Sequence, residues 1–526
     1  MKRLTASVAA PHPAAVEAAR AAWAEGGNAL DLALAAATAL AVAYPHQCSL
    51  GGDLVALVRD PDGTVTAHLS FGAAPQAVDV AALRALGGRM PPGGPHPVTV
   101  PGALAGWAAL AEAGARLPLA DRLRRAAALA RDGVPVAPGL ERAIAASAPQ
   151  IAADPGLSAL LTPGGRALGS ADALVQPALA RTLDAIAADG PGAFYGGAVG
   201  AALVAGLQAA GSAMTLADLA AHAAETAAPL SDELHGATWH VAPPPSAGIT
   251  LLAMLDGLDA GRLPLQRARA AAAARDRLLG DPRRGPLDLD GLRTTVFAEP
   301  AHAGRAPAGN ARAAGDTVAI AAVDSEGRAV TVVQSVYQTF GAALLEPATG
   351  IVLHNRGSAF SLEPGHPAEI GGGLRPPHTL CPAIVAAGGA VVAAGCQGGR
   401  AQPQVLAQIA ADLADPAADL PAAIARPRWV VGSRDMDREV ETVLAEPEAG
   451  VAAAGASAPD AFAQVAAEAA ALGVAFERLA APSGLAGHVQ AARLAADGGQ
   501  QAATDPRADG VAATFAPDPD DEDRPS

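Results

Sequence analysis

The stretch GDTVAIAAVDSEGRAVTVVQSVY, residues 315–337, is the most informative part of this 526-residue chain. Apolar residues alternate on both sides of the tetrapeptide SEGR, which is typical of a turn, so the stretch predicts a β-hairpin. Thr317 begins the first strand, directly behind the segment 281–316, which is rich in glycine, proline and arginine. That segment has no sustained period and predicts an exposed, mobile connection.

Helices and further hairpins are predicted around this stretch. Residues 14–43 predict a helical hairpin whose second helix is apolar nearly all round and is therefore buried. Strand-like runs flank DPDG (60–63), and AIVAAGGAVVAAG (383–395) predicts another hairpin, followed by one helix over 402–415. The first half of the chain is predicted to be rich in helices with some strands, and the second half begins with consecutive hairpins and then becomes helical. This order favours an α/β (α+β) fold. The expected arrangement is a four-layer αββα sandwich of stacked antiparallel sheets flanked by helices.

Composition and charge restrict the class of protein. The formal net charge is -16 and the sequence pI about 5.1, which argues against nucleic acid or an anionic membrane surface as a partner. The acidic tail 516–526 predicts disorder. We find no signal peptide and no apolar run of about 20 residues, so a cytoplasmic protein is expected. Three widely spaced cysteines predict neither a disulfide framework nor a metal site.

The stretch GCQGGRAQPQ (395–404) joins a predicted strand to a predicted helix. Without a Cβ in the way, the backbone N–H groups of Gly398 and Gly399 are able to approach a ligand closely. They also precede a helix N-terminus, where free donors and the helix dipole favour negative charge. An oxyanion hole and an ordinary strand-to-helix turn are both compatible with this stretch.

Thr317 is a candidate nucleophile. A threonine hydroxyl is weak until a base removes its proton. If the peptide bond before Thr317 is cut, the freed α-amine has a pKa of roughly 8 and lies within reach of its own Oγ1. One residue then supplies both nucleophile and base. Taken alone, a threonine at a strand start is also a common structural residue.

The combination of these stretches, in order, resembles the γ-glutamyltransferase family of N-terminal-nucleophile hydrolases, in a divergent branch. The resemblance runs over nearly the whole chain. Its earlier parts are EGGNALDLALAAATALAVAYPH, GGDLVALV, TVPGALAGW, LARDGVPV and PPPSAGI, and its later parts are the opening stretch, NRGSAF (355–360), RPPHTL (375–380), GCQGGRAQPQ and DPRADGVA.

The resemblance implies that one precursor cuts itself at the Asp316–Thr317 bond. A large subunit, 1–316, and a small subunit, 317–526, would remain together as a heterodimer, possibly as a dimer of these. Thr317 would form an acyl-enzyme with an amide substrate, Gly398 and Gly399 would hold the oxyanion, and Ser335 would orient the nucleophile and assist self-cleavage. No metal or cofactor is implied.

Departures from the family pattern concern the substrate. Gly72, in SFGAAP (70–75), takes the place of the arginine that pairs with the α-carboxylate of a γ-glutamyl group. Ala359 takes the place of the aspartate that binds its α-amino group. His378 and Thr379 replace two serines that contact the α-carboxylate, and Tyr337 replaces an asparagine.

Three arginines are candidates to replace the missing carboxylate contact: Arg356, Arg375 and Arg400. A structural role is the alternative for each of them. Ser358 is a further candidate substrate contact. His354 and His378 lie in site-forming stretches, whereas His46, in YPH, is expected to be a turn or core residue.

The resemblance implies cleavage of γ-glutamyl amides of the glutathione type, with transfer of the acyl group to water, an amino acid or a peptide. One alternative is an amidohydrolase or acylase of the same family that acts on other amides, like a cephalosporin acylase or an oxamate amidohydrolase. A second alternative is an uncut, inactive binding protein, which the retained Thr317, Ser335, Gly398 and Gly399 disfavour.

Overall fold

A computed structural model describes residues 3–294, 316–433, 438–447 and 458–517. The helices are α1 Pro13–Ala24, α2 Ala29–Ala43, α3 Val80–Ala85, α4 Ala103–Glu112, α5 Leu119–Asp132, α6 Pro138–Ala146, α7 Ala148–Ala153, α8 Pro155–Leu161, α9 Pro177–Asp189, α10 Gly192–Tyr195, α11 Ala198–Ala209, α12 Leu216–Ala220, α13 Gly248–Asp256, α14 Leu265–Leu278, α15 Leu289–Thr294, α16 Gln402–Gln408, α17 Ala410–Ala414, α18 Leu420–Ala425 and α19 Ala458–Ala471.

The strands are β1 Ala6–Ala10, β2 Asp53–Arg59, β3 Val65–Ser70, β4 Val134–Pro135, β5 Ala173–Leu174, β6 Glu225–Ala227, β7 Leu230–Leu234, β8 Ala237–Val241, β9 Asp316–Asp324, β10 Ala329–Tyr337, β11 Leu345–Glu346, β12 Ile351–Val352, β13 Ala383–Ala387, β14 Ala390–Gln397, β15 Trp429–Gly432, β16 Thr442–Ala445, β17 Ala475–Arg478, β18 His488–Leu494, β19 Gln500–Thr504 and β20 Val511–Phe515. Short 3₁₀ turns include Arg356–Ala359 and Gly399–Ala401.

Two antiparallel sheets form the centre of the fold. The first has the strand order β20-β1-β9-β10-β2-β3-β6, and the second has the order β19-β18-β14-β13-β8-β7. Their inner faces share one apolar cluster, and the hydroxyl of Thr331 donates across the gap to the carbonyl of Ala394 at 3.1 Å. Helices cover both outer faces, so the predicted αββα sandwich is confirmed.

Strand β9 is buried on both of its faces. Val318, Ile320 and Ala322 face the outer helices, whereas the residues between them face the second sheet. Both faces are therefore buried, which requires apolar residues at every position rather than at every second one. The two sheets lie close together at Gly395. An added Cβ at this position would lie 2.9 Å from a methyl of Val333.

Helix α2 is buried along its whole length, as predicted. Asn28 and Asp31 form a reciprocal capping box at its start, which satisfies backbone donors that have no partner inside the helix. His46, just beyond the helix, is buried against Tyr44 with ring centroids 4.2 Å apart. This is the core position expected for that histidine.

The hairpins around DPDG and around Gly388-Gly389 are confirmed as β2–β3 and β13–β14. One local prediction was too broad. The helix over 402–415 is divided into α16 and α17 at Ile409.

Of the segment 281–316, which was predicted to be exposed and mobile, the structure describes residues 281–294 and Asp316, and most side chains of residues 281–294 are at least partly exposed. Asp281 is buried and pairs with Arg283 and Arg375, and α15 is tied down by Arg293, which contacts Asp232 at 2.6 Å. Such ion pairs depend on partners far away in the sequence. Residues 295–315 lie outside the described part of the chain, as do residues 518–526 of the predicted tail.

The proposed fragments 1–316 and 317–526 do not form separate units in space. In the first sheet, β9 from the second fragment pairs with β1 from the first, and β10 pairs with β2. In the second sheet, β13 pairs with β8. A cut before Thr317 would therefore leave two chains joined by backbone hydrogen bonds within both sheets.

One apolar stretch, Gly192–Ala209, is long enough and apolar enough to cross a membrane by length and composition. In this fold it is divided into α10 and α11. The apolar side of α11 packs into the outer helical core through Leu203 and Leu207.

Candidate active site

Thr317 and Ser335 meet at the start of β9 and the end of β10. Thr317 Oγ1 donates a hydrogen bond to Ser335 Oγ at 3.0 Å, and Ser335 Oγ donates to the carbonyl oxygen of Asp316 at 2.5 Å. Both hydroxyl side chains are buried. The candidate nucleophile is thus linked, through one hydroxyl, to the carbonyl of the peptide bond that precedes it.

A bulge in the β9–β10 pairing creates this arrangement. The register shifts between Gln334 and Tyr337, and Tyr337 has a φ of +77°, which is uncommon for a residue other than glycine. The N–H of Tyr337 then points to Ser335 Oγ and donates to it at 2.7 Å. Ser335 is held by the backbone as well as by Thr317.

The carboxyl group of Asp316 is buried beside the same peptide bond. Burial raises the pKa of Asp316 to about 7, and hydrogen bonds from the side chains of Thr339 and Gln397 lower it by less. No ion pair to Asp316 occurs among the residues that the structure describes. A protonated carboxyl is therefore favoured here below neutral pH.

Gly398 and Gly399 follow β14 and lead through a 3₁₀ turn into α16. Their φ angles are +147° and +51°, values that residues with a Cβ rarely adopt. Gln397, the neighbour of Gly398, contacts the Asp316 side chain. The fold therefore brings the residue next to the glycine pair into contact with Asp316, although 80 residues separate the two in sequence.

Arg356 is buried at the start of a 3₁₀ turn close to this group. Its Nη1 donates to Thr379 Oγ1 at 3.1 Å, and its guanidinium carbon lies 3.4 Å from the centroid of the Tyr337 ring. Burial lowers the pKa of Arg356, and the interactions with Tyr337 and Asp53 act in the opposite direction. Arg356 thus contacts two other predicted substrate contacts, Thr379 and Tyr337.

The other two candidate arginines have acidic partners. Arg375 pairs with Glu225 at 2.8 Å and with Asp281 at 3.2 Å, and Arg400 pairs with Asp276. Both are thereby committed to contacts within the protein. Among the three arginines, only Arg356 has no carboxylate within ion-pair distance in the described part of the chain.

Asp53 is the residue of this region that sequence analysis missed. It lies opposite Ser335 in the β2–β10 pairing, and its Oδ2 is 3.0 Å from His354 Nδ1 and 3.2 Å from His378 Nε2. Burial acts to raise the pKa of Asp53, but the two histidines outweigh it and hold the pKa below its usual range. An aspartate at the start of an apolar strand, in GGDLV, was the available signal.

His378 is engaged on both ring nitrogens. Nε2 contacts Asp53, and Nδ1 accepts from the N–H of Leu380 at 3.3 Å. Its ring also packs on Phe71 at 4.9 Å between centroids, and burial lowers its pKa to about 4. His354 likewise contacts Thr99 through Nε2. These contacts favour a supporting role for both histidines, so the prediction of substrate contact through His378 gains no support from the geometry.

The comparison with known proteins can now be set beside this geometry. The family described as Gamma-glutamyltranspeptidase matches residues 15–515. The chain belongs to this family. The match includes Thr317, Ser335 and the glycine pair, and the family's members among the relatives below are described as proenzymes.

Relatives in the family differ in the reactions for which they are named. The chain is 35% identical to "Oxamate amidohydrolase proenzyme" of Klebsiella pneumoniae, over 96% of this chain and 98% of the relative. It is 32% identical to "Glutathione hydrolase-like YwrD proenzyme" of Bacillus subtilis, over 84% and 87%. Among solved structures, cephalosporin acylase from Bacillus halodurans superposes with a TM-score of 0.83 at 28% identity, covering 98% of this chain and 96% of that one.

The structure gives a reason for the departure from the family pattern at Gly72 and locates Ala359 and Ser358. A Cβ at Gly72 would lie 1.8 Å from the carbonyl oxygen of Val100, so this backbone has no room for any side chain there. Ala359 is half-buried at the end of the 3₁₀ turn that begins with Arg356. Ser358, in the same turn, donates back to the carbonyl of Asn355 at 2.8 Å.

The described residues contain no group of three or more histidine, cysteine, aspartate or glutamate side chains arranged to hold a metal ion. The chemistry available in the region is that of hydroxyl groups, backbone N–H groups, the buried carboxyls of Asp316 and Asp53, two histidines that contact Asp53, and one arginine. This set is suited to acyl transfer from an amide.

Proposed function

We propose that the chain is a self-processing amidohydrolase that uses Thr317 as its nucleophile. The observation that supports this proposal best is the hydrogen-bonded series from Thr317 Oγ1 through Ser335 Oγ to the Asp316 carbonyl. It places a hydroxyl nucleophile and an O–H donor on either side of one peptide bond. The family membership of the chain agrees with it.

In the self-cleavage step, Thr317 Oγ1 attacks the carbonyl carbon of Asp316. The proton of Oγ1 passes to Ser335 Oγ while the proton of Ser335 moves to the Asp316 oxygen, so Ser335 stays neutral and the tetrahedral intermediate carries a hydroxyl. This hydroxyl gives its proton to the nitrogen as the C–N bond breaks, which frees the Thr317 amine and leaves an ester between Asp316 and Thr317 Oγ1. Water then hydrolyses the ester and frees the Thr317 hydroxyl and the Asp316 α-carboxylate.

In turnover, the freed amine of Thr317 accepts the proton from Oγ1, which attacks the substrate amide. The N–H groups of Gly398 and Gly399 stabilise the oxyanion, and such a donor typically contributes about 10²–10³ in rate. The leaving amine departs with the proton. Water then attacks the acyl-enzyme ester and regenerates Thr317.

We propose that the substrate is an amide other than a γ-glutamyl compound. Gly72 and Ala359 remove the cationic and anionic partners of an amino acid head group, and the Val100 backbone leaves no room for a side chain at position 72. The relative named for oxamate amidohydrolysis has a similar length and the higher identity of the two relatives above, so oxamate is a first substrate to assay. Hydrolysis or transfer of γ-glutamyl groups is the second candidate, which the glutathione-hydrolase-like relative favours.

We also propose that the fragments 1–316 and 317–526 stay together after the cut and work as a heterodimer in the cytoplasm. The strand pairings between the fragments in both sheets support their lasting association. No metal or cofactor takes part in the proposed steps.

Mass spectrometry of the purified protein tests the proposal. We expect two fragments, one of which begins with Thr317, and release of ammonia from simple amides. Thr317→Ala should stay a single chain of about 51.6 kDa without amidase activity. Thr66→Ala, in β3 of the same sheet, is the matched control and should be cut and active. An uncut wild-type chain that still hydrolyses amides, or an active Thr317→Ala variant, would contradict the proposed nucleophile.

A further inference from the structure

Arg356 is a buried cation without an anionic partner in the described part of the chain. The residue is 1% exposed, and its Nε has neither a hydrogen-bond partner nor access to solvent. Its contacts are the neutral hydroxyl of Thr379 and the face of the Tyr337 ring. Burial of an ionised group is expensive unless it is paired, so an arginine in this setting indicates an anion that comes from outside the protein.

The nearest acid in this region is not available to Arg356 as a direct partner. Asp53 contacts both His354 and His378 through Oδ2 and forms no ion pair with Arg356 within 4.0 Å. Its charge still favours the protonated form of Arg356 from a distance. The guanidinium therefore has no carboxylate partner among the described residues, and its Nε donor has no hydrogen-bond partner there.

Arg356 is also close to the reacting group. It stacks on Tyr337, and the N–H of Tyr337 donates to Ser335 Oγ, which in turn accepts from Thr317 Oγ1. Three contacts, through Tyr337 and Ser335, thus connect the guanidinium to the nucleophile.

The residues at positions 356 and 359 disfavour a substrate whose acyl part is an amino acid. In the usual family stretch N-Q-M-D-D-F, a neutral glutamine stands where this chain has Arg356, and an aspartate stands where it has Ala359. The chain therefore carries a cation in the stretch whose aspartate would hold an α-ammonium group, and it lacks that aspartate. Like charges at short range in a buried site repel strongly.

We propose that Arg356 determines specificity by binding a carboxylate on the acyl part of the substrate, and that it excludes substrates with an α-amino group next to that carboxylate. The substrate class is then the half-amide of a dicarboxylic acid. This inference rests on the proposed amidohydrolase function, and it assigns the charge that the site selects. A guanidinium fork suits a planar carboxylate in geometry and charge.

The first test compares substrates that differ only in charge. A series of half-amides with zero to three methylene groups between the amide and the carboxylate is assayed beside the methyl ester of each acid. We expect the processed wild-type enzyme to prefer the best acid over its ester by about 10- to 100-fold in kcat/KM, mostly through KM. Glutaramate and L-glutamine differ only in the α-amino group, and the acid without it should be preferred.

The variants assign the preference to the residue. Arg356→Gln should reduce the ratio of acid to ester to near one, and Arg356→Lys should restore part of it. Arg84→Gln, which removes one positive charge from an exposed ion pair with Glu369, is the matched control and should leave the ratio unchanged. Each protein is checked by mass spectrometry for complete processing before it is assayed.

The outcomes separate the two proposals. A wild-type protein that stays uncut and hydrolyses neither acids nor esters contradicts the proposed function itself. The role of Arg356 is overturned, while the function stands, if a processed enzyme hydrolyses the amide bond of the methyl esters as well as that of the free acids. The same holds if the Arg356→Gln variant keeps the preference for the acids. If Arg356→Gln does not fold, the wild-type ratios decide: no preference for the acid, or a preference for L-glutamine, refutes the proposal.

Discussion

Removal of the Ser335 hydroxyl is the sharpest perturbation of self-cleavage that the structure offers. In Ser335→Ala, the Asp316 carbonyl loses the donor at 2.5 Å, and Thr317 Oγ1 loses the acceptor at 3.0 Å. Loss of one donor to a developing oxyanion typically slows a reaction by about 10²–10³-fold. We expect self-cleavage to slow at least by this factor, because the nucleophile also loses its alignment.

The fold should survive this change. The lost contacts are three hydrogen bonds between neutral groups, and each contributes about 0.5–1.5 kcal/mol. The assay follows the disappearance of the chain of 51.6 kDa on a denaturing gel over time after purification, with the fragment masses determined in parallel. Thermal unfolding confirms that the variant is folded. Ser335→Thr keeps the hydroxyl and should be processed much faster than the alanine variant. Processing of Ser335→Ala at the wild-type rate would refute the role assigned to this hydroxyl.

Three further predictions concern stability. Because burial raises the pKa of Asp316 to about 7 in the folded uncut chain, above its unfolded value of about 4, the Thr317→Ala protein should lose stability as the pH rises from about 4 through 7. The added change Asp316→Asn should remove most of that loss, which is measured as the free energy of unfolding in urea at each pH. If this free energy falls with pH as steeply as before, the result would count against a buried carboxyl. Gly72→Ala should lower stability by about 1–3 kcal/mol or more, since the new Cβ meets backbone at Val100, whereas Gly88→Ala, with open space around it, is the control in thermal unfolding. Asp53→Asn should destabilise by about 3 kcal/mol, because two histidine contacts to a buried charge are lost, and a change as small as that of the exposed Asp62→Asn would argue against the network.

Much of the fold could be predicted from periodicity. The full burial of α2 and the hairpins β2–β3 and β13–β14 follow from local patterns of apolar residues and turn residues. Ion pairs between distant elements were not predictable in this way. They attach Asp281 and Arg293 to partners more than 30 residues away in the sequence.

The candidate site residues also divide into those that sequence motifs identify and those that only contacts between distant elements identify. Thr317, Ser335, Gly398 and Gly399 are identifiable from motifs because the order of those motifs along the chain is characteristic of the family. The choice among Arg356, Arg375 and Arg400 was open in the sequence, because an arginine carries the same charge whether or not an acid lies beside it. Only the positions of Glu225, Asp281 and Asp276 show which two are already paired.

The sequence by itself determined the order of the elements, the family and the candidate nucleophile Thr317, because each depends on local alternation or on motifs read along the chain. The tertiary structure alone decided that Ser335 bridges Thr317 and the Asp316 carbonyl, that position 72 has no room for a side chain and that, of the three candidate arginines, only Arg356 has no carboxylate partner among the described residues. These facts depend on distances between strands and turns that are far apart in sequence, and such distances are set by the packing of the two sheets.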